Sequence, residues 1–105
     1  MSIAVHVVLV SCPPDRAEAL ATALVDSRHA ACVNVLPAVR SIYRWKGAVQ
    51  KDDEALLIVK TAADKLDALR EAIVRLHPYE VPEVIALPVD AGHAPYLDWV
   101  VESTR

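Results

Sequence analysis

An α+β sandwich of the split βαβ, ferredoxin-like kind is predicted for this 105-residue chain by two observations. Strand-like and helix-like segments follow one another as β-α-β-β-α-β, with a short helix added at the C-terminus. Two right-handed βα units joined by a central hairpin give one antiparallel sheet with helices on one face. The second observation is the length of that hairpin. Each arm is about 13 residues, roughly 43 Å if fully extended, against a usual strand of about 5 or 6 residues. Two helices of ordinary length cannot cover it, so its far end needs another surface to lie on.

The first strand is read from Ile3 to Val10, β-branched and almost uniformly apolar, as in a central strand covered on at least one face. Cys12-Pro13-Pro14-Asp15 starts the first helix, since proline suits a first turn and Asp15 suits the positive helix end. Ala17, Leu20, Ala21, Leu24 and Val25 form its apolar stripe. The second strand runs from Ala31 towards Trp45, with a bulge or bend at Pro37, and Lys46-Gly47-Ala48 makes the hairpin turn. Val49 to Thr61 returns. The second helix spans about Asp64 to His77, with Leu66, Leu69, Ile73 and Leu76 on one face and Thr61 as a loose capping box. Val84 to Val89 is the last strand, and Pro95 opens a final helix carrying Tyr96, Trp99 and Val100.

Length bounds the chain to one domain over residues 1–105. A hydrophobic fraction of 54% is rich for a small monomer and points to apolar surface shared with other subunits. A net charge of −3 argues against a nucleic-acid partner. The longest apolar run, Val7 to Val10, is too short to span a bilayer. Cys12 and Cys32 form neither a CxxC pair nor a secreted disulfide framework, and no basic leader precedes the first strand, so a cytoplasmic protein is expected.

The segment richest in chemistry is His77-Pro78-Tyr79-Glu80-Val81-Pro82-Glu83. Pro78 ends the helix at His77, Pro82 defers the next strand, and an imidazole, a phenol and a carboxylate sit on the stiff connector between them. His77 and Glu80 are the closest local pair of metal-ligating side chains, although a histidine at a helix C-terminus also needs no ligand to be favoured there. Cys12, after a strand and before a helix, is placed where a thiol is activated, but no base or orienting group accompanies it in sequence. Cys32 reads as a small hydrophobe, His6 as a satisfied strand histidine, and His29 and His93 as loop residues. Lys60 reads as a strand-end lysine paired with Glu54 or Glu80, or facing an anion near the connector. Tyr43-Arg44-Trp45 reads as an interface anchor on the hairpin.

Five segments in register resemble the CutA family, the divalent-cation tolerance proteins. They are Ala31-Cys32-Val33-Asn34, Ser41 to Gly47, Leu57-Ile58-Val59-Lys60-Thr61, His77 to Glu83 and Tyr96-Leu97-Asp98-Trp99. The resemblance, running from Val7 to about Val101, implies a compact homotrimer built through the long hairpin, similar to PII-like trimers, and a link to copper tolerance. It implies a copper site of a strand-end cysteine, the histidine of His-Pro-Tyr and a carboxylate. Here the strand-end position holds Ser11 and the cysteine follows at Cys12, a shift that flips side-chain direction in a strand. The leading expectation is a non-enzymatic trimer of metal homeostasis, binding a divalent cation weakly at His77, Glu80 and Cys12, with no cofactor required. The alternative is a PII-like sensor whose intersubunit cleft, lined by Trp45, Lys60, His77, Tyr79 and Glu80, takes a small anionic ligand.

Overall fold

Residues 4–105 are described by a computed structural model. Met1, Ser2 and Ile3 lie outside the described residues, and with them the expected start of the first strand at Ile3. The elements are β1 (Val5–Cys12), α1 (Pro14–Asp26), β2 (Cys32–Trp45), β3 (Ala48–Ala62), a 3-10 turn (Ala63–Lys65), α2 (Leu66–Leu76), β4 (Ile85–Pro88) and α3 (Ala94–Ser103). The sheet order is β2-β3-β1-β4, every neighbouring pair antiparallel, which is the ferredoxin-like arrangement expected.

Strand alternation divides the sheet into two unlike faces. On one face Val8, Val10 and Cys12 of β1 and Ala55, Leu57 and Val59 of β3 pack under Leu20 and Leu24 of α1 and Leu69, Ala72 and Ile73 of α2. The α1 stripe is buried as expected through Leu24, but Val25 is 42% exposed, beside Val33 and Val35 of the edge strand β2. On α2, Leu69 and Ile73 are buried with Ala72, whereas Leu76 is 44% exposed in the last turn. The opposite face carries Leu9, Leu56 and Ile58, with Leu36, Ile85 and Leu87 38%, 49% and 48% exposed. Among the described residues only α3 covers part of it, through Val100 against Val5 and Ala31. Both outer strands, β2 and β4, present an open edge.

The hairpin is as long as the sequence implies: 14 residues in β2 and 15 in β3. Leu36 faces Leu56 while Val39 faces Glu54, so β2 carries one extra residue at Pro37-Ala38, the expected bulge. At the tip, Lys46 and Gly47 adopt φ of 50° and 81°, the double left-handed turn that matches strand twist. Beyond the reach of α1 and α2, Ile42 and Val49 are 65% and 59% exposed. The molecule is accordingly elongated, 48 × 25 × 22 Å.

Element ends differ from expectation for local reasons. His77 is extended (φ −78°, ψ 139°), because the residue before a proline is pushed out of the helical region, so α2 stops at Leu76. Thr61 is no cap: its hydroxyl donates to the His29 carbonyl at 2.8 Å, and neither the 3-10 turn nor α2 has a side-chain cap.

Candidate functional site

The connector between α2 and β4 is fastened to the end of β1 by one histidine ring. The His77 backbone N–H closes α2 on the Ile73 carbonyl at 2.8 Å, and the residue is 7% exposed. Its Nε2 lies 2.8 Å from the Ser11 carbonyl oxygen. A carbonyl can only accept, so Nε2 carries the hydrogen. Nδ1 is then the acceptor for the Tyr79 backbone N–H at 3.1 Å. The partners fix the neutral tautomer and leave neither nitrogen free. The Tyr79 ring lies tilted against the imidazole, centroids 4.7 Å apart.

Tyr79 carries the connection onward. Its hydroxyl donates to Glu54 Oε2 at 2.7 Å, and Glu54 is 5% exposed. Burial, then the hydrogen bond and charge of Glu54, pushes the Tyr79 phenol well above its ordinary value. Two residues back along β3, Asp52 accepts from the Tyr43 hydroxyl, which raises that phenol in turn. At the same sheet end the Ser11 hydroxyl donates to Glu83 Oε1 at 3.4 Å. The result is an acidic lane, Asp52 and Glu54 with a tyrosine on each, running from the hairpin to the connector.

The expected metal ligands are not assembled in this subunit. Cys12 pairs with Ala55 and points into the helix-covered core, fully buried, whereas Ser11 takes the other face. Burial, then the Glu54 charge, pushes the Cys12 thiol up, which suits an inert core thiol rather than a nucleophile. His77 has both nitrogens engaged, and Glu80 is exposed on the connector. Among the described residues no three His, Cys, Asp or Glu side chains stand close enough to hold a metal ion.

The expected ligand cleft is divided. His77 and Tyr79 are together, but Lys60 lies on the open sheet face, donating to Asn34 Oδ1 rather than to Glu54 or Glu80. Trp45 pairs with Ala48 at the hairpin tip, 12 residues along β3 from Lys60, or about 40 Å. No single copy can bring Trp45 to Lys60. A second copy can.

Other histidines also differ from their reading. Among the described residues the buried Nδ1 of His6 has no hydrogen-bond partner, in contrast to the satisfied strand histidine expected. His29 is a loop residue as expected, its Nδ1 2.6 Å from the Ser27 hydroxyl, and exposed His93 precedes α3. Sequence reasoning missed Glu54 as the acceptor for Tyr79 and missed Asp52. The available signal was an Asp52-Asp53-Glu54 run flush against the buried segment Ala55 to Val59, which forces one carboxylate to the core boundary.

Comparison with known proteins places this geometry. The profile of the CutA1 divalent ion tolerance protein family matches residues 6–103. The divalent-cation tolerance protein CutA of Thermus thermophilus is 50% identical over 100 residues, covering 94% of this chain and 97% of that protein. Protein CutA of Mus musculus is 47% identical over 102 residues, covering 96% of this chain. The chain spans only 58% of that mouse protein. The solved structure of the PII-like protein CutA from Nostoc, in apo form, superposes with a TM-score of 0.92 at 37% identity, covering 95% of this chain and 97% of the other.

Proposed function

We propose a function from one premise: this chain belongs to the CutA1 divalent ion tolerance family. It serves divalent-cation tolerance without catalysis, as a homotrimer that binds copper weakly. The observation that carries the reading is the uncovered, half-apolar sheet face with an open strand at each edge and a hairpin that outruns its helices. Such a surface is completed by further copies of the same chain, since long unpaired edges otherwise aggregate. Copper(II) is the tightest binder in the divalent series and suits imidazole. His77 reaches it only by giving up the Tyr79 N–H or the Ser11 carbonyl. That exchange costs about 1–3 kcal/mol, a loss of roughly 5- to 150-fold in affinity, and Glu80 on the connector supplies a second ligand. Weak binding is the expected consequence.

Two measurements test this. Sedimentation equilibrium should return a trimer at micromolar concentration, and a monomer would refute the assembly. Calorimetric titration should show copper binding that His77→Ala removes in large part, and unchanged affinity in that variant moves the metal elsewhere.

A second reading has its own support. Trp45 and Lys60 lie too far apart for one copy, yet Trp45 is exposed at a tip that a neighbour must accommodate, and one structural relative is described as PII-like. A neighbour's Trp45 laid beside Lys60, Tyr79 and Glu80 forms a cleft for a small anion. Tryptophan fluorescence separates the readings: quenching by nucleotides but not by copper favours the anion.

A further inference from the structure

Outside the connector, one pair of reactive side chains is held face to face by the sheet itself. Cys32 and Lys60 are direct register partners across the β2–β3 ladder, and Lys60 Nζ lies 3.9 Å from Cys32 Sγ. Directly opposed residues in an antiparallel pair have Cβ atoms about 4.5–5.5 Å apart, so a link between them needs no strand movement. Asn34, on the same face of β2, accepts from the same ammonium and steadies it over the sulfur, its own Oδ1 also 3.9 Å from the thiol. The Tyr96 phenol on α3 is pushed up by burial and then by the nearby Cys32. The contrast with Cys12 is direct. Cys12 is sealed in the core, whereas Cys32 is half-buried in the single subunit, with a positive head beside it to attract the charge that attack on an oxidant develops.

We propose that Cys32 is a site of oxidation by hydrogen peroxide and that Lys60 captures the oxidised sulfur as a covalent sulfur–nitrogen bridge between β2 and β3. In the first step the Cys32 sulfur attacks one peroxide oxygen. The S–O bond forms as the O–O bond breaks, and the departing hydroxide takes the thiol proton and leaves as water. Sulfur is oxidised to the sulfenic acid by two electrons and peroxide is reduced. In the second step the unprotonated Lys60 amine attacks that sulfur. The S–N bond forms, the S–O bond breaks, and the hydroxide leaves as a second water with an amine proton. One thiol, one amine and one peroxide thus give one S–N bond and two waters, the condensation known for sulfenic acids with nitrogen. The chain loses two hydrogens, about 2 Da.

An intrachain disulfide cannot mimic this. Cys12 pairs with Ala55 on the helix face and Cys32 with Lys60 on the open face, five residues apart along β3 and so about 17 Å apart.

The test treats the full chain, in the assembly it forms in solution, with hydrogen peroxide near pH 8, followed by intact mass and tryptic mapping without reductant. Loss of two hydrogens, a blocked cleavage after Lys60, joined Cys32 and Lys60 peptides and reversal by dithiothreitol are expected. Lys60→Arg keeps the charge but removes the attacking amine, so Cys32 should stop at sulfenic or higher acids, while Cys12→Ser should bridge as the parent does. Three results overturn the proposal: sulfur acids at Cys32 with Lys60 still cleaved, an equal product in Lys60→Arg, or reaction at Cys12 ahead of Cys32. A covalent dimer through Cys32 would overturn it too.

Discussion

Removing the His77 ring should destabilise the subunit in the complete absence of metal. His77→Ala deletes a donor to the Ser11 carbonyl at 2.8 Å and an acceptor for the Tyr79 N–H at 3.1 Å. Each bond contributes about 1 kcal/mol net, and a partner left unpaired in a buried site costs about 1–3 kcal/mol. The site is 7% exposed and is followed by the exposed residues Pro78, Tyr79 and Glu80, so the lower part of that range applies. The working sum is about 2–4 kcal/mol, a fall of roughly 10–20 °C in Tm for a domain of this size. Urea unfolding with chelator present, at fixed protein concentration, measures it as a lower midpoint with unchanged slope. His77→Gln, whose amide can still donate to Ser11, should recover about half. A loss under about 0.5 kcal/mol, within the ordinary surface range, would show that the ring does not fasten the connector and would return it to the role of a free ligand.

Further outcomes follow from the same geometry. Charging the uncovered hairpin face with Ile42→Glu should convert the proposed trimer to smaller species by sedimentation, since an interface of biological size, above roughly 1,000 Å², would need that arm. Stability should fall as pH rises above about 10, because the folded state holds the Tyr79 phenol neutral well above its ordinary value while the unfolded chain ionises there. Tyr79→Phe should flatten that fall and cost about 1–3 kcal/mol at neutral pH by leaving buried Glu54 without its donor. Gly47→Ala, at φ of 81°, should cost about 1 kcal/mol in thermal unfolding. The proposed assembly, with seven prolines and two glycines in each chain, should lift Tm above the mesophile range of about 45–65 °C by scanning calorimetry.

The architecture was legible because its signals are local. Apolar, β-branched runs located the four strands and period-3.6 stripes the helices, and Pro37, Gly47 and Pro78 marked the bulge, the turn and the end of α2. Where local signals misled, a longer-range contact had taken the residue. Thr61 reads as a cap by spacing, yet its hydroxyl is claimed by His29, distant in sequence. Leu76 and Val25 continue their stripes by spacing, yet Leu76 lies in the last turn of α2 and Val25 lies over the margin of the sheet beside Val33 and Val35 of the edge strand, and both stay exposed.

The site was legible only in part, and the reason is direction. Sequence spacing says that His77 and Glu80 share a connector, but not that the imidazole turns inward to bind backbone on both nitrogens. It flags a cysteine near the end of β1, and the strand period then decides everything: Ser11 takes the open face and Cys12 the core. Glu54 illustrates the converse. Nothing in Asp52-Asp53-Glu54 separates the three carboxylates until β3 is registered against β1, when Glu54 alone falls at the core boundary within reach of Tyr79. The same register sets Lys60 against Cys32 rather than against an acid. Tertiary pairing, not residue type, therefore assigns these roles. The same register keeps Trp45 at the hairpin tip, opposite Ala48 and with the Lys46 ammonium over its ring, far from the Lys60 end of β3.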